Sequence, residues 1–239
     1  MAQLSSIEWT DLTWNPVVGC SIESAGCTNC YAMRMAARLQ AMGHEKYDGL
    51  TKRTKRGAVW TDNVRCHEES VDIPLTWKKP RRVFVNSMSD LFHPDVPSEF
   101  VRRIWDVMAR TPQHHYQILT KRPQRMAELL GEICPAPLQN VWLGTSVEDG
   151  KVVGRIDLLR EVPASVRFIS FEPLIGDVGR VNLAGIHWAI VGGESGPRSR
   201  PMNEQWVETI LDQCLGSGTA FFFKQWGGVN KKKTGRLLR

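Results

Sequence analysis

Hydrophobic residues in the last two thirds of the chain alternate between two patterns. Short, nearly continuous runs are typical of buried parallel strands, and segments with hydrophobic residues every three or four positions are typical of helices. Six strands are predicted in this way, over residues 82–90, 115–122, 140–148, 166–173, 185–194 and 219–226. Helices are predicted over residues 97–110, from Pro123, over 152–160, and over 203–215 with Asn203 as N-cap.

This alternation predicts an α/β fold built from right-handed βαβ units. Residues 15–19 are a candidate for one more strand before the six. We therefore predict a partial or full (β/α) barrel of parallel strands. A doubly wound open sheet is the alternative, because closure cannot be read from a sequence. The predicted organisation is one domain over residues 1–228, an irregular insertion near 43–80, and a basic tail over 229–239.

Polar residues follow or end every predicted strand. In parallel barrels the functional site lies at the carboxyl ends of the strands. A shared polar cavity is therefore predicted there. Its candidate residues are Ser87, Ser89, Asp90, Lys121, Arg122, Ser146, Glu148, Glu172, Gly193 and Glu194.

The bulk composition fits an intracellular globular protein. With 239 residues, of which 42% are hydrophobic, the chain can bury one large core. No hydrophobic run reaches membrane-spanning length and the first residues lack a signal pattern, so we predict a cytoplasmic protein without a membrane partner. In a reducing compartment the six cysteines are expected to be ligands or core residues rather than disulfides.

The net charge of +6 is concentrated in local clusters. Such clusters can neutralise phosphates, which makes DNA or a nucleotide a candidate partner. The alternative is a solvated surface with a disordered tail. The cluster chosen as a nucleic-acid contact contains Lys52, Arg53, Lys55 and Arg56, with Arg122 added from the polar cavity.

Three of the six cysteines lie within eleven residues, in the pattern C-x6-C-x2-C. A predicted helix starts directly after Cys30, and a helix N-terminus favours the thiolate form of a cysteine. Cys20, Cys27 and Cys30 can bind zinc with a fourth ligand such as Cys66, or an iron–sulfur cluster with one open iron. The sequence leaves both possibilities open.

The chain resembles the radical S-adenosylmethionine superfamily, and more closely its phage-associated branch of formerly unknown function. The usual superfamily spacing is C-x3-C, whereas six residues separate Cys20 from Cys27 here. Resemblance to the branch covers residues 7–228. Its signature is matched by Trp14, Asn15, Pro16, Gly19, Cys20, Cys27, Cys30 and Tyr31.

The resemblance implies a [4Fe-4S] cluster on the three cysteines and S-adenosyl-L-methionine on its open iron. It also implies an external one-electron donor such as flavodoxin or ferredoxin. Lys121 and Glu172 are the candidate catalytic or substrate contacts. The candidate cofactor contacts are Tyr31, Ser87, Ser89, Asp90, Ser146, Glu148, Gly193 and Glu194.

The expected activity is formation of a 5′-deoxyadenosyl radical that modifies or rearranges a nucleobase, as an isomerase or a lyase. The favoured substrate is an amino-acid-decorated thymine in phage DNA hypermodification, which would evade host restriction. Repair of a thymine lesion, as photoproduct lyases perform, is a second hypothesis. A non-catalytic, zinc-stabilised nucleic-acid-binding protein is the third.

Overall fold

The computed structural model describes residues 3–5, 7–55, 57–134 and 136–238. The strands are β1 (Gln3–Leu4), β2 (Leu12–Trp14), β3 (Val17–Val18), β4 (Thr51–Thr54), β5 (Gly57–Trp60), β6 (Arg65–Cys66), β7 (Arg82–Val85), β8 (His115–Thr120), β9 (Val141–Ser146), β10 (Val166–Phe171), β11 (Trp188–Gly192) and β12 (Ala220–Gln225). The helices are α1 (Tyr31–Ala41), α2 (Ser98–Ala109), α3 (Pro123–Ile133), α4 (Arg155–Glu161), α5 (Glu204–Ser217) and α6 (Lys231–Thr234).

The main sheet has eight strands in the order β1-β2-β7-β8-β9-β10-β11-β12. Seven of them, β2 and β7 to β12, run parallel to one another. β1 pairs antiparallel with β2 at one edge. The order is linear, so the sheet is a curled half-barrel rather than a closed ring. The predicted α/β fold is confirmed in its partial-barrel form.

Both faces of the sheet are buried, which explains the nearly continuous hydrophobic strands. Val83 and Val85 of β7 pack in the large core with Ile104 and Met108 of α2. The residue between them, Phe84, belongs to a second cluster on the other face. That cluster also contains Trp9, Phe168 and Ile190, with Trp142 and Trp188 packed against it.

The predicted helices are confirmed within a few residues at their ends. Asn203 is the N-cap of α5, and its side chain accepts a hydrogen bond from the Gln205 N–H. The first parallel strand is β2 rather than residues 15–19. Pro16 has no N–H for a sheet ladder, which explains the break. Beyond it, β3 pairs antiparallel with β6 in a separate two-stranded sheet.

The segment predicted to be irregular contains an antiparallel hairpin, β4–β5. Leu50 and Trp60 of this region pack with Val18 and Ala36, which fixes the hairpin against α1. Lys52 and Arg53 are exposed, so the hairpin lacks the hydrophobic alternation by which a strand is recognised.

The C-terminal segment packs against the barrel. Trp226 donates from Nε1 to the Leu237 carbonyl at 2.9 Å, and its N–H donates to the Gly235 carbonyl at 3.2 Å. Thr234 donates to the Gly227 carbonyl. None of the helices in the described part of the chain has the length and hydrophobicity needed to cross a membrane.

Candidate cofactor site at the carboxyl face of the sheet

The carboxyl ends of the seven parallel strands meet at one surface, which we call the carboxyl face. Polar residues at or after the ends of different strands contact one another on this face. Thr120 at the end of β8 donates to Asp90 Oδ1 at 2.7 Å, and Asp90 follows β7. Lys224 of β12 donates to Glu172, which follows β10. The predicted polar strand ends therefore lie together.

Residues 20–30, which we call the cysteine loop, lie on this face. Cys27 is in a short 3-10 helix, Ala25–Cys27, and Cys30 is the N-cap residue of α1. The Asn15 side chain fixes the segment that leads into the loop. Asn15 Oδ1 accepts from the Ser87 hydroxyl and the Met88 N–H, both at 3.1 Å.

All three thiols of the loop are free, with Cys27 buried and the other two half-buried. Burial raises the pKa of Cys20 to about 12, and the negative charges of Asp90 and of the other two thiolates add to this effect. Burial also raises the pKa of Cys30, while the N–H groups of Met33 and Ala32 lower it. Those N–H groups belong to the first turn of α1, but burial outweighs them, so the thiolate of Cys30 is not favoured in the way that the sequence predicts.

The three thiols match in type and number the protein ligands of a cluster with one open iron. Cys27 and Cys30 raise the pKa of Cys20, and Cys27 raises that of Cys30, so the thiols lie close enough to interact electrostatically. As placed, no three His, Cys, Asp or Glu side chains among the described residues form a group that could hold a metal ion. The fit therefore rests on the chemistry of the thiols and their common loop.

Asp90 and Arg122 connect the cysteine loop to strands β7 and β8. Arg122 donates from Nη1 to Asp90 Oδ2 at 3.0 Å. Its Nη2 donates to Ser21 Oγ at 2.9 Å and lies 3.1 Å from Glu23 Oε2. Ser21 Oγ is also 2.7 Å from Nε2 of buried His93. Both terminal nitrogens of Arg122 therefore have partners. Nη1 contacts Asp90 at the end of the sheet, and Nη2 contacts the cysteine loop.

Glu148, after β9, makes a second connection. Its Oε1 accepts from the Gly26 N–H at 3.1 Å, and its Oε2 is paired with Arg155 Nη1 at 3.1 Å. Burial opposes the charge of this carboxylate, but Lys121, Arg155 and the Gly26 N–H outweigh burial and lower the pKa of Glu148. The side chain is fully buried, at 0% exposure.

Glu194, after β11, makes a third connection. Its Oε2 accepts from Asn29 Nδ2 at 2.9 Å and from Arg200 Nε at 3.0 Å. Arg200 also donates to the carbonyl of Ala25, at 3.0 Å. Burial opposes ionisation here too, but the bonds from Arg200 and Asn29 lower the pKa of Glu194.

Other predicted residues have groups that are not committed to the loop. Glu172 accepts two hydrogen bonds from Lys224 Nζ, at 2.7 and 2.8 Å, in a half-buried pair. Lys121 is half-buried, and its charge lowers the pKa of both Cys30 and Glu148. Tyr31 donates to the Ser87 carbonyl at 2.6 Å, and burial raises the pKa of Tyr31.

The remaining predicted cofactor contacts have local structural partners. Ser89 donates to the Val17 carbonyl at 2.7 Å, and the Ser146 carbonyl accepts from Arg155. At Gly193, a Cβ atom would lie 2.1 Å from the Trp226 carbonyl oxygen. This glycine is therefore required by the approach of the Trp226 backbone, and its assignment to the cofactor stays a prediction.

The basic residues predicted to contact nucleic acid lie in two different environments. Lys52, Arg53 and Lys55 are exposed on the β4–β5 hairpin, which flanks α1. Arg122 is only 8% exposed and is held in ion pairs, so its contacts favour a role inside the protein. Arg56 lies outside the described residues.

The sequence assigned no role to Arg155 or Arg200, and it named Lys224 only as one of the polar residues that end the predicted strands. Two of them had a local signal, because Arg155 follows Glu148 by seven residues and Arg200 follows Glu194 by six. An acidic strand end followed by an arginine in the next turn or helix is a pattern that favours ion pairing. Lys224 is 52 residues from Glu172, and only the pairing of β10, β11 and β12 brings them together.

Among solved structures, the chain is similar to a spore photoproduct lyase complexed with dinucleoside spore photoproduct. The TM-score is 0.51 and the sequence identity is 11%, so the likeness concerns the fold. It covers 91% of this chain but 64% of that one, so this chain spans less than two thirds of its length. No curated protein matches the sequence. Residues 4–239 match the family described as "Protein of unknown function (DUF5131)". The chain therefore belongs to this family.

Proposed function

We propose that this protein is a cytoplasmic radical S-adenosylmethionine enzyme whose cluster is held by Cys20, Cys27 and Cys30. The observation that carries the proposal is the placement of three free thiols in one loop at the carboxyl face of a parallel half-barrel. Enzymes with this architecture build their sites at that face. The fold likeness to a photoproduct lyase supports the same proposal.

The protein's own residues would prepare the site in two ways. Burial raises the pKa of Cys30, and the first-turn N–H groups of α1 together with the charge of Lys121 partly offset that effect. Hydrophobic residues, among them Val18 and Met88, pack with Cys20 and Cys30 and exclude water from that side. When bound, the cluster and S-adenosyl-L-methionine would supply one-electron cleavage to a 5′-deoxyadenosyl radical, with flavodoxin or ferredoxin as donor.

Glu172, Lys121, Tyr31 and Ser87 are the proposed contacts for substrate or cofactor. Glu172 and Lys224 form a matched pair of charges at the carboxyl face. A Cβ atom at Gly192 would lie 3.3 Å from the Glu172 carboxyl, so the absence of a side chain there lets Glu172 lie close to the end of β11. A half-buried pair of opposite charges at this face is suited to contact a polar group of the substrate.

The proposed substrate is a nucleobase in DNA. The favoured version remains modification or rearrangement of an amino-acid-decorated thymine in phage DNA, and thymine-lesion repair is the sibling version. The exposed Lys52, Arg53 and Lys55 beside α1 support a contact with phosphates. The structural neighbour is bound to a dinucleoside photoproduct, which gives the lesion-repair version its own support.

The zinc hypothesis needs a fourth ligand, and Cys66 was the candidate. Cys66 lies in β6, paired with Val17, and its pKa is raised by burial and by Glu68. Cys66 packs against the large core, whereas Cys20 and Cys30 pack against a different cluster that contains Val18 and Met33. This difference in placement favours a three-thiol site over a four-ligand zinc site that includes Cys66.

The decisive experiment is anaerobic reconstitution with iron and sulfide of the wild type, Cys27→Ala and the control Cys66→Ala. We expect about four irons and four sulfides per chain in the wild type and the control. The Cys27→Ala chain should lose most of this iron and should no longer cleave S-adenosyl-L-methionine. A wild type that holds zinc and no iron, or a Cys27→Ala chain with undiminished cleavage, would refute the proposal.

A further inference from the structure

The carboxylates of Asp90, Glu148 and Glu194 share an arrangement that their assignment as cofactor contacts does not explain. They follow β7, β9 and β11, which are alternate strands of the sheet. All three are buried, with exposures of 5%, 0% and 4%. Each is paired with an arginine, and each pair contacts a different part of the cysteine loop.

The three contacts are distributed along the whole loop. The Asp90–Arg122 pair binds Ser21 and Glu23 near its start. The Glu148–Arg155 pair binds the Gly26 N–H in its middle. The Glu194–Arg200 pair binds the Ala25 carbonyl, next to Gly26, and the Asn29 side chain near the end of the loop.

These carboxylates have little capacity left for another ligand. Asp90 Oδ1 accepts from the Phe92 N–H at 3.0 Å and from Thr120, while Oδ2 accepts from the Lys121 N–H at 3.2 Å and from Arg122. Both oxygens of Glu194 are also bonded. A charge-assisted bond of this kind is worth more than a neutral one, and leaving such a group unpaired is costly.

We propose that Asp90, Glu148 and Glu194 are positioning residues that hold the cysteine loop folded before any metal or cofactor binds. The inference rests on the proposed function only for the identity of the cofactor that the loop binds. The sheet holds the cysteine loop in its conformation through the three charged pairs, and metal ligation is not needed for this. The loop geometry itself follows from contacts within the protein.

The test is hydrogen exchange of residues 20–30 in metal-free protein. We expect these amides to be protected in the wild type, because local opening would break several charge-assisted bonds at once. The variants remove contacts from the loop side and leave each buried acid–arginine pair intact. Ser21→Ala removes one partner each of Arg122 and His93, and Asn29→Ala removes a partner of Glu194.

Each variant should speed exchange of the loop by about tenfold, with the double variant faster still, while α2 and β8 keep their wild-type exchange. Ser21→Thr keeps the hydroxyl and should restore protection. The matched control is Asp11→Asn, which breaks an ion pair with Arg82 at the amino end of β7. It should leave exchange of residues 20–30 unchanged.

Two results would overturn the inference. One is a wild-type loop that exchanges as fast as an unstructured segment in metal-free protein. The other is protection that is unaffected in the double variant. The failure of the proposed function is separable, because iron analysis of the same samples reports it. Suppose that the loop is protected and responds to the variants, but the chain binds no iron. That result would support the three positioning residues and refute the proposed cluster.

Discussion

At the scale of single residues, Gly192 and Gly193 differ in the atoms that surround them. Gly192 is the last residue of β11, and Gly193 follows it. A Cβ atom at Gly193 would lie 2.1 Å from the Trp226 carbonyl oxygen, a backbone atom that cannot move aside. At Gly192 the closest atoms belong to the Glu172 carboxyl group, at 3.3 Å. The first contact is impossible without displacing β12, and the second requires only a small adjustment of a side chain.

We therefore expect Gly193→Ala to lower the free energy of unfolding by about 2–4 kcal/mol, because overpacking forces a backbone shift. Gly192→Ala should cost less than about 1 kcal/mol. Urea unfolding of both variants measures the difference. Equal stabilities would contradict the close approach of Trp226 to Gly193.

A substitution at Glu172 is expected to reduce activity while leaving the stability of the fold nearly unchanged. It is half-buried and bonded only to Lys224 in the described contacts, so Glu172→Gln should change the unfolding free energy by less than about 1 kcal/mol. If Glu172 contacts substrate or cofactor, cleavage of S-adenosyl-L-methionine should fall at least about tenfold. The comparison is Glu148→Gln, whose fully buried pair should cost more stability. Unchanged activity in Glu172→Gln would contradict its assignment.

At the scale of elements, the sequence predicts the strands and helices well where burial on both faces leaves a strong hydrophobic signal. It misplaces the first strand, because Pro16 and the polar Asn15 lie directly after the short β2. It also misses the β4–β5 hairpin, whose outward side chains are basic rather than alternating. Both errors concern short strands stabilised by tertiary contacts, which local patterns do not report.

For the candidate site, too, the sequence predicts one part and misses another. The cysteines and the strand ends could be found from spacing and from the rule that parallel strands finish at one face. The partners of the acids could not be found by that rule, since it gives positions and no contacts. The sequence predicts Glu148 and Glu194 as cofactor contacts, and it gives no sign of the bonds that the cysteine loop makes to them.

The β4–β5 hairpin gives a prediction about nucleic-acid binding. Replacing Lys52, Arg53 and Lys55 by glutamine should weaken DNA binding and reduce the slope of log K against log salt by about 2–3. The matched control changes Lys78, Lys79 and Arg81, which precede the amino end of β7 and so lie away from the carboxyl face. Salt titrations of binding decide the question, and an equal loss in both triple variants would contradict a specific role of the hairpin.

At the scale of the whole molecule, the buried acids make stability depend on pH. The pKa values of Glu148 and Glu194 lie below their ordinary value of 4.5 in the folded chain. The unfolded state therefore binds protons first as pH falls. The stabilisation is fully present above about pH 4.5 and is lost as pH drops through the lowered folded values.

Accordingly, Glu194→Gln should be less stable than the wild type by about 1–3 kcal/mol at neutral pH. This difference should shrink as the pH is lowered from about 5 to about 3. Glu132→Gln, at an exposed position of α3, is the control and should show a small difference throughout. Urea unfolding at several pH values measures these differences. A gap between wild type and Glu194→Gln that is constant down to the lowest pH would contradict the lowered pKa.

The six residues between Cys20 and Cys27 carry most of the contacts that hold the cysteine loop. Ser21 and Glu23 bind Arg122, the Ala25 carbonyl binds Arg200, and the Gly26 N–H binds Glu148. A spacer of three residues has no room for four such attachment points. In this chain the length of the spacer and the acids at the strand ends therefore depend on each other structurally. In related chains, a shortened spacer is expected to occur together with loss of these acids or of their arginines.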